Sequence, residues 1–228
     1  MIHFDHVSHH YGDRQVLSEI SLELTENRIG IIGGNGSGKS TLARLCNGLI
    51  LPSEGQVSVH GHTTSQDLST VRTMVGFVFQ DPDLQIIMPT VAEDLAFSLR
   101  STTLSKPEKE ETLSTWLKEY GLDSHRDHPA HLLSGGQKQL LAIAAILITN
   151  PQIVVFDEPT TLLDLKNKYA VMDVISSLHQ QVLVVTHDVD LLSDFDRVIV
   201  LDEGRVFADD TPKKAIAGYR AHIIPHRK

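Results

Sequence analysis

The chain has 228 residues, of which 41% are apolar, enough to bury one large core or a core with a subdomain. Its 29 acidic and 20 basic side chains give a net charge of -9, which argues against bulk affinity for nucleic acid or an anionic membrane. The single cysteine, Cys46, excludes a disulfide framework within the chain and fits a reducing compartment.

Segments that could target the chain to a membrane are absent from the sequence pattern. The polar, histidine-rich start MIHFDHVSHHYGD does not resemble a signal peptide. The longest aliphatic run, LLAIAAILI at 140–148, is shorter than the roughly twenty apolar residues that a bilayer-spanning helix needs. The 13 histidines are scattered without an HExxH pattern or a Cys/His cluster, so we expect no dedicated transition-metal site. We expect a soluble chain that reaches a membrane only through a partner.

The chain begins with a predicted antiparallel part. Residues 2–8 and 16–24 alternate polar and apolar side chains around the turn-like YGDR, which predicts a hairpin or a pair of edge strands. RIGII at 28–32 predicts a short buried strand, GGNGSGKS follows at once, and TLARLCNGL has the apolar spacing of a helix. Strand, glycine loop and helix form the context that a phosphate-binding loop requires.

Strands and helices then alternate along the chain. VGFVFQ at 75–80 predicts a further buried strand, and residues 91–100 and 107–120 have helical patterns. IVVFDEP at 153–159 and VLVVTH at 182–187 are near-continuous aliphatic runs that end in polar groups. Such runs are typical of central parallel strands with the chemistry at their carboxyl ends.

Together these elements predict an α/β fold. We expect a mainly parallel core sheet, an N-terminal antiparallel β part, and a mainly helical subdomain inserted from about residue 85 to 150. VIVLDEGRVFADD predicts an edge hairpin. No repeat, low-complexity segment or flexible linker interrupts the chain, so residues 1–228 are predicted to form a single domain.

The glycine loop at 33–40 matches GxxxxGK[ST] in full. Glycines let backbone N–H groups turn inward as a nest for anions, Lys39 would reach the β- and γ-phosphates, and Ser40 would hold Mg²⁺. The alternative is a flexible glycine turn, against which the preceding strand and following helix argue. The predicted phosphate-binding residues are Gly33, Gly34, Asn35, Gly36, Ser37, Gly38, Lys39 and Ser40.

Two carboxylates follow the aliphatic strand IVVF. Asp157 is predicted to bind Mg²⁺, and Glu158, one residue further, to polarise an attacking water as general base. An acidic turn after a strand is the plain alternative. It is weakened by the phosphate-binding loop in the same chain.

The stretch LSGGQKQLLAIAAIL at 133–147 predicts a second helix whose N-terminus faces an anion. Ser134 and two glycines precede a strongly apolar helix, which on its own would describe an ordinary N-capped helix. A second phosphate-binding terminus is hard to place in one site. Two copies of the chain, each completing the site of the other, would explain it.

With these motifs in this order, from Tyr11 nearly to the end of the chain, the sequence resembles ABC-type ATPases. The resemblance implies a P-loop, RecA-like core that hydrolyses ATP with Mg²⁺. It also implies that Gln80, as a magnesium ligand, senses Mg²⁺ and the attacking water and that His187 contacts the γ-phosphate. A contact with ATP is implied for Tyr11, which stacks on adenine, and for Thr41 at the end of GGNGSGKST. A contact with the γ-phosphate of ATP held by the other protomer is implied for Ser134, Gly135, Gly136 and Gln137. The resemblance also implies an ATP contact for Asp164, which communicates across the dimer.

One stretch resembles a particular branch of that family. QDPDLQIIMPTV at 80–91 is similar to the segment of energy-coupling-factor (ECF) vitamin and metal-ion importers in which a short helix carries a second glutamine to the transmembrane subunit. The resemblance implies partner docking by Gln85 and Ile86, although Leu84 stands where that family often has a polar residue. A solvated turn with its apolar residues packed in the core is the alternative.

The resulting expectation is the ATPase motor of an ECF-type importer at the cytoplasmic face of the membrane. The resemblance implies a second ATPase protomer, with a homodimer favoured because every hydrolytic motif is intact. It also implies an integral-membrane coupling protein and a substrate-binding membrane subunit. Few residues follow the predicted hairpin, and this compact form and the QIIMPTV spelling favour biotin over cobalt or nickel as cargo. An ordinary binding-protein-dependent importer, and a soluble ABC ATPase acting on DNA or ribosomes, remain as alternatives.

Overall fold

The computed structural model describes residues 1–224, and these fall into two compact units. The first unit comprises Met1–Phe77, Gln152–Glu158 and the chain from Leu178 onward, and the second comprises Val78–Pro151 and Pro159–Ser177. The predicted helical insertion of about 85–150 falls within the second unit. That unit also contains the helix Leu165–Ser177, which follows Glu158 in the chain and so lies outside the predicted insertion. That the two units act as one domain over residues 1–228 stays a prediction.

Ten strands and seven α-helices make up the described chain. The strands are β1 (Ile2–Tyr11), β2 (Arg14–Leu24), β3 (Arg28–Gly33), β4 (Glu54–Val59), β5 (His62–Thr63), β6 (Val75–Val78), β7 (Ile153–Asp157), β8 (Gln181–Val185), β9 (Arg197–Asp202) and β10 (Arg205–Asp210). The helices are α1 (Lys39–Leu45), α2 (Leu68–Met74), α3 (Val91–Ser98), α4 (Lys106–Glu119), α5 (Gly135–Leu147), α6 (Leu165–Ser177) and α7 (Pro212–Ile223).

The first unit contains an antiparallel sheet in the order β2-β1-β4-β5. The predicted hairpin of β1 and β2 forms, and Gly12 turns it with a positive φ of 58° that suits glycine. Ile20, Leu22 and Leu24 are buried along β2 while the residues between them are exposed. This alternation is the period of two that the sequence showed, with one face of the sheet buried.

The first unit also carries most of a six-stranded sheet in the order β10-β9-β3-β8-β7-β6. Strands β9, β3, β8 and β7 run parallel, and β10 closes the edge as the predicted antiparallel hairpin with β9. All five residues of β7 are buried, as their continuous apolar run predicts. Asp157 and Ile31 both pair with Val185, so the loops after β3, β7 and β8 leave from one edge of the sheet.

The second unit is helical, and its core lies between α3, α4 and α5. Buried apolar residues from each helix meet there: Val91, Leu95, Leu113, Leu117, Leu141 and Ala144. Each of these helices begins with a capping box, in which a serine or threonine and a glutamate or glutamine satisfy each other's backbone N–H groups. The predicted helix at 91–100 ends at Ser98, where a short 3-10 turn follows.

The α/β class, the antiparallel N-terminal part and the mainly parallel core sheet are confirmed. The predicted strand at 75–80 is too long, because β6 ends at Val78 and leaves Gln80 in the loop that follows. Over residues 1–224, no helix combines the length and the apolar character needed to cross a membrane.

Candidate functional site

The phosphate-binding loop joins β3 to α1 in the first unit, and Lys39 folds back onto it. The Lys39 ammonium donates hydrogen bonds to the carbonyls of Gly33 and Gly34, both at 2.9 Å. Burial lowers the pKa of Lys39, and the nearby carboxylates of Glu158 and Asp157 oppose that effect. Because hydrogen bonds to charged acceptors are stronger than those to carbonyl oxygens, the Lys39 ammonium can give up these two carbonyls for a phosphate oxygen.

Two glycines of this loop are required by close approach. A Cβ at Gly33 would overlap the carbonyl oxygen of Leu201 in β9, and one at Gly38 would meet the Leu17 side chain and the Val16 carbonyl. Gly38 also has a φ of 100°, in the left-handed region that favours glycine. The Ser37 hydroxyl is buried and has no hydrogen-bond partner among the described residues. The loop therefore forms a cradle with an unsatisfied polar group, which suits an anion.

Asp157 lies at the carboxyl end of β7 and reaches α1. Its Oδ1 accepts a hydrogen bond from the Ser40 hydroxyl at 2.7 Å, and its Oδ2 lies 3.8 Å from the Arg44 guanidinium. Burial raises the pKa of Asp157, and the Ser40 hydroxyl and the Arg44 charge act against that rise. The structure thus brings together two of the three predicted magnesium ligands, Ser40 and Asp157, and both offer the hard oxygen donors that Mg²⁺ prefers.

Glu158 and His187 meet next to this pair. The Nδ1 of His187 lies 2.8 Å from the Oε2 of Glu158, and the imidazole is exposed while the carboxylate is largely buried. Glu158 adopts a φ of 53°, uncommon for a residue with a side chain, and its N–H donates to the Val185 carbonyl at 2.9 Å. The turn after β7 is thereby fixed so that two predicted catalytic side chains share one hydrogen bond.

Tyr11 closes β1, and its side chain is about half exposed. Its ring lies 4.7 Å from that of His9 in an edge-to-face arrangement. His9 is fixed in turn, because its Nδ1 lies 3.0 Å from the Leu51 carbonyl. An exposed aromatic face on a held ring is suited to stacking on a base, as the resemblance implies for Tyr11.

The first unit therefore fits a nucleotide and its metal ion. The cradle at Gly33, the unpartnered Ser37 hydroxyl and the Lys39 ammonium suit phosphate oxygens. The Ser40 and Asp157 oxygens suit a hard divalent cation. Asn35 and Gly36 are exposed in the same loop, and Thr41 is buried in α1.

Ser134–Gln137 open α5 in the second unit. The Ser134 hydroxyl accepts from the Gln137 N–H at 3.3 Å, and the Gln137 side-chain oxygen accepts from the Ser134 N–H at 2.9 Å. Ser134 and Gly135 are exposed at this helix N-terminus. The segment thus combines an N-cap with an open, positively polarised helix end, and its contact with an anion stays a prediction.

Asp164 is linked to this helix through a residue that sequence reasoning missed. The Asn167 N–H and side-chain amide donate to the two Asp164 carboxylate oxygens at 2.8 and 3.0 Å. A Cβ at Gly136 would overlap the Asn167 side chain, so the second glycine of LSGGQ is needed for this packing. No feature of the sequence alone pointed to Asn167.

Gln80 is exposed and lines a cavity of about 150 Å³ in the second unit. Asp81, Asp83, Gly135 and Gln139 also line it. Gln139 is almost fully buried, and its side-chain nitrogen has no hydrogen-bond partner among the described residues. Gln80 therefore lies beside the start of α5. Its predicted place as a magnesium ligand stays a prediction.

Gln85 is held inside the second unit. Its side-chain nitrogen donates to the Ala142 carbonyl of α5 at 2.7 Å, and its side-chain oxygen accepts from the Phe79 N–H at 3.2 Å. Ile86 is half-buried against the helical core. The exposed residues are instead its neighbours Leu84, 72% exposed, and Ile87, 62% exposed. Docking through Gln85 and Ile86 stays a prediction, with Leu84 and Ile87 as the apolar groups that the loop presents.

Asp94 holds the same loop from α3, another residue that the sequence did not single out. Its Oδ1 accepts from the N–H groups of Ile87 and Met88 at 2.9 and 3.0 Å. Burial raises the pKa of Asp94, and these two hydrogen bonds act against the rise. An acid in the first turn of a helix is common, so its long-range contact left no signal in the sequence.

The family model described as ABC transporter matches residues 17–161 of this chain. An ABC transporter ATP-binding protein of Deinococcus radiodurans is 56% identical over 223 residues, covering 98% of this chain and 99% of that protein. BioM, a biotin transport ATP-binding protein of Rhizobium etli, is 46% identical over 219 residues, covering 96% and 97%. EcfA1, an energy-coupling factor transporter ATP-binding protein of Caldanaerobacter subterraneus, is 42% identical over 206 residues, covering 87% and 74%.

Solved structures agree with these sequence matches. CbiO1 of Clostridium perfringens, part of the ABC transporter complex cbiONQ, superimposes with a TM-score of 0.83 at 30% identity, covering 99% of this chain and 94% of that one. A dimeric ATP-binding cassette in a post-hydrolysis state with ADP and phosphate gives a TM-score of 0.82 at 29% identity, covering 93% and 99%.

Proposed function

This chain belongs to the ABC transporter family and is a transport ATPase subunit, and on that premise we propose that it drives an ECF-type importer. The carrying observation is the loop after β6. Gln85 ties this loop to the Ala142 carbonyl of α5, Asp94 holds it from α3, and it presents Leu84 and Ile87 outward. Exposed apolar side chains on a fixed backbone suit docking of a partner helix. The similarity to EcfA1 supports the same branch of the family.

ATP is bound by the phosphate-binding loop, with Tyr11 stacking on the base. Lys39 leaves the carbonyls of Gly33 and Gly34 for the β- and γ-phosphates, and the buried Ser37 hydroxyl gains a partner. Ser40 and Asp157 would hold Mg²⁺, and the family resemblance assigns Gln80 as a further ligand. Mg²⁺ supplies charge neutralisation at the phosphates when it is bound. These assignments are supported by the oxygen donors at the end of β7 and the start of α1.

Glu158 acts as the general base that orients and deprotonates the attacking water. His187 lies on its carboxylate at 2.8 Å, which holds the carboxylate in place and keeps the imidazole next to the reacting group. The His187 imidazole contacts the γ-phosphate and stabilises the negative charge that develops there during hydrolysis.

The second half of each site comes from another copy of the chain. The helix N-terminus at Ser134–Gln137, exposed at Ser134 and Gly135, would contact the γ-phosphate held by the partner protomer, and Asp164 would relay between the two sites. A homodimer is the simplest assembly, because each copy carries all hydrolytic residues. The dimeric ATP-binding cassette among the solved structures supports this arrangement.

The remaining partners would lie in the membrane. The ATPase dimer would sit at the cytoplasmic face, bound to an integral-membrane coupling protein, with a separate membrane subunit that binds the substrate. Biotin is the favoured cargo, on the similarity to BioM, and cobalt or nickel is the next choice, on the similarity to the cbiONQ subunit.

Affinity purification from native membranes in mild detergent tests this proposal. We expect a small integral-membrane protein and a second membrane subunit to co-purify, and uptake of labelled biotin to be lost when the gene is deleted. Co-purification of an extracytoplasmic binding protein instead would identify an ordinary importer. Recovery without any membrane protein would support a soluble ABC ATPase.

A further inference from the structure

Helix α7 is fixed to β9 and β10, and β9 pairs with β3, the strand that leads into the phosphate-binding loop. Near its end, the Nε2 of His222 lies 2.8 Å from the Asp202 carboxylate at the end of β9. The His222 ring also packs on Phe207 of β10, with centroids 4.2 Å apart. At the start of the helix, Pro212 and Ala215 are buried. Helix α7 is thus held at both ends, which fixes the direction of the side chains between them.

Tyr219 lies one helical turn before His222 and on the same face. Its hydroxyl oxygen is 4.0 Å from the position that a Cβ on Gly34 would occupy. Among the described residues, leaving out Gly34 and its chain neighbours, no other heavy atom lies within 4 Å of that position. The second glycine of the phosphate-binding loop therefore faces the tip of one side chain from the far end of the sequence.

The Tyr219 hydroxyl is a hydrogen-bond donor at neutral pH. Burial, together with the negative charge of Asp202, raises its pKa above the ordinary tyrosine value. It thus keeps its proton beside a loop whose purpose is to present donors to phosphate. A neutral donor there adds no positive charge, so it does not compete with Lys39 for the nucleotide.

The hairpin that precedes α7 already holds the other end of the same loop. The Gly204 N–H, in the turn between β9 and β10, donates to the Ser37 carbonyl at 3.2 Å, and the Gly204 carbonyl accepts from the Ser18 N–H at 2.9 Å. Ser37 is thereby supported from the hairpin, and the helix that follows the hairpin carries Tyr219 toward Gly34.

Lys39 makes this support matter for nucleotide binding. Its ammonium occupies the carbonyls of Gly33 and Gly34 in the structure, and it must leave them to reach phosphate oxygens. The Gly34 carbonyl then loses its charged donor. The Tyr219 hydroxyl, 4.0 Å from the position of a Cβ on Gly34, is a side-chain donor on the open side of this glycine.

We propose that Tyr219 is a positioning residue for ATP binding, whose hydroxyl becomes a hydrogen-bond donor to Gly34 when Lys39 turns to the nucleotide. The role concerns the ATPase reaction of the established family and does not depend on the cargo or the membrane partner. Tyr219 acts through the loop, so its loss is expected in nucleotide affinity and only weakly in the chemical step.

The test compares Tyr219→Phe, which removes the hydroxyl and keeps the ring, with Tyr219→Ala, which removes both. ATP affinity of the purified full chain is measured by equilibrium binding, KM and kcat by steady-state hydrolysis, and Tm without nucleotide. Tyr120→Phe is the matched control, because its ring stacks on Trp116 in the second unit, whereas the phosphate-binding loop belongs to the first unit.

For Tyr219→Phe we expect Kd and KM for ATP to rise about 2- to 10-fold, the size of one neutral hydrogen bond, with kcat within about 2-fold of wild type. Its Tm without nucleotide should match wild type, and Tyr120→Phe should leave all four quantities unchanged. Wild-type Kd and KM in Tyr219→Phe would overturn the proposal. So would a loss that appears in Tm without nucleotide or in kcat alone, since that pattern belongs to a structural or chemical role. Tyr219→Ala should show a larger rise in Kd than Tyr219→Phe, and equal values would remove the contribution of the ring.

Discussion

The side-chain amide of Gln85 donates a hydrogen bond to the backbone carbonyl of Ala142 across 2.7 Å. Ala142 lies in α5, the helix that opens with Ser134–Gln137, and Gln85 lies between the exposed Leu84 and Ile87. Within the second unit, one side chain therefore joins the candidate docking loop to the helix that carries the proposed γ-phosphate contacts. This contact gives a physical route by which partner movement and ATP binding can be coupled.

Replacing Gln85 with alanine should uncouple transport. The variant loses the bonds to Ala142 and Phe79, while the bonds from Asp94 to the backbone of the loop remain. We expect substrate uptake or complex assembly to fall by about 2- to 30-fold, the range of measured coupling effects, with basal ATP hydrolysis of the isolated chain nearly unchanged. Gln66→Ala, an exposed glutamine of the first unit, is the matched control. Equal loss of uptake and hydrolysis would count against the coupling role.

Ile87 should matter to the partner and not to the isolated enzyme. Its side chain is 62% exposed and its backbone N–H is fixed by Asp94, so Ile87→Asp places a charge on the docking surface without removing a core contact. We expect co-purification with the membrane partner to be lost while the ATPase activity of the free chain stays within about 2-fold of wild type. Leu104→Asp, also at an exposed apolar site of the second unit, should still co-purify. Retention of the partner by Ile87→Asp would exclude this surface.

Glu158→Gln should trap an ATP-bound dimer. The amide keeps the size of the side chain and can still meet His187, but it cannot accept the proton of the attacking water. We expect hydrolysis to fall by about 10²- to 10⁴-fold, with nucleotide affinity retained and an ATP-dependent dimer seen by size-exclusion chromatography. Hydrolysis at the wild-type rate would remove Glu158 from the role of general base.

Much of the first unit could be predicted because its signals are local in the sequence. Lys39 and Ser40 follow a strand and a glycine loop, Asp157 ends an aliphatic run, and all of these lie where parallel strands end. Contacts between distant segments left no such signal. Asn167 reaches Asp164 by a local turn but meets Gly136 only in the folded chain, and Tyr219 approaches Gly34 only through the position of α7. The QDPDLQ pattern pointed to Gln85, but the sequence could not show that its side-chain amide binds the Ala142 carbonyl and is therefore partly buried.

Asp94 should make stability depend on pH. Its folded-state pKa is raised by burial, so the folded chain binds this proton more tightly than the unfolded chain, and the penalty for burying the charge is relieved as pH falls through the folded pKa. Asp94→Asn keeps an acceptor for Ile87 or Met88 but does not titrate. We expect the free energy of unfolding of wild type to rise relative to that of the variant as the pH falls from neutral through the raised pKa of Asp94, measured by urea titration. A difference that stays constant over this range, or moves in the opposite direction, would contradict the raised pKa.

Two substitutions at Ser134 should separate capping from phosphate contact. Ser134→Ala removes the acceptor for the Gln137 N–H and should lower the free energy of unfolding by about 0.5–2 kcal/mol. We expect its ATPase activity to fall as well. Ser134→Asp keeps an N-cap acceptor, because aspartate caps as well as serine does, but it places a negative charge where the γ-phosphate of the partner's ATP is expected. We therefore expect Ser134→Asp to unfold near the wild-type urea midpoint and yet to lose ATP-dependent dimerisation and hydrolysis. If Ser134→Asp retained wild-type hydrolysis, the serine would serve only as a helix cap, and the site would not be completed at this residue by a second copy of the chain.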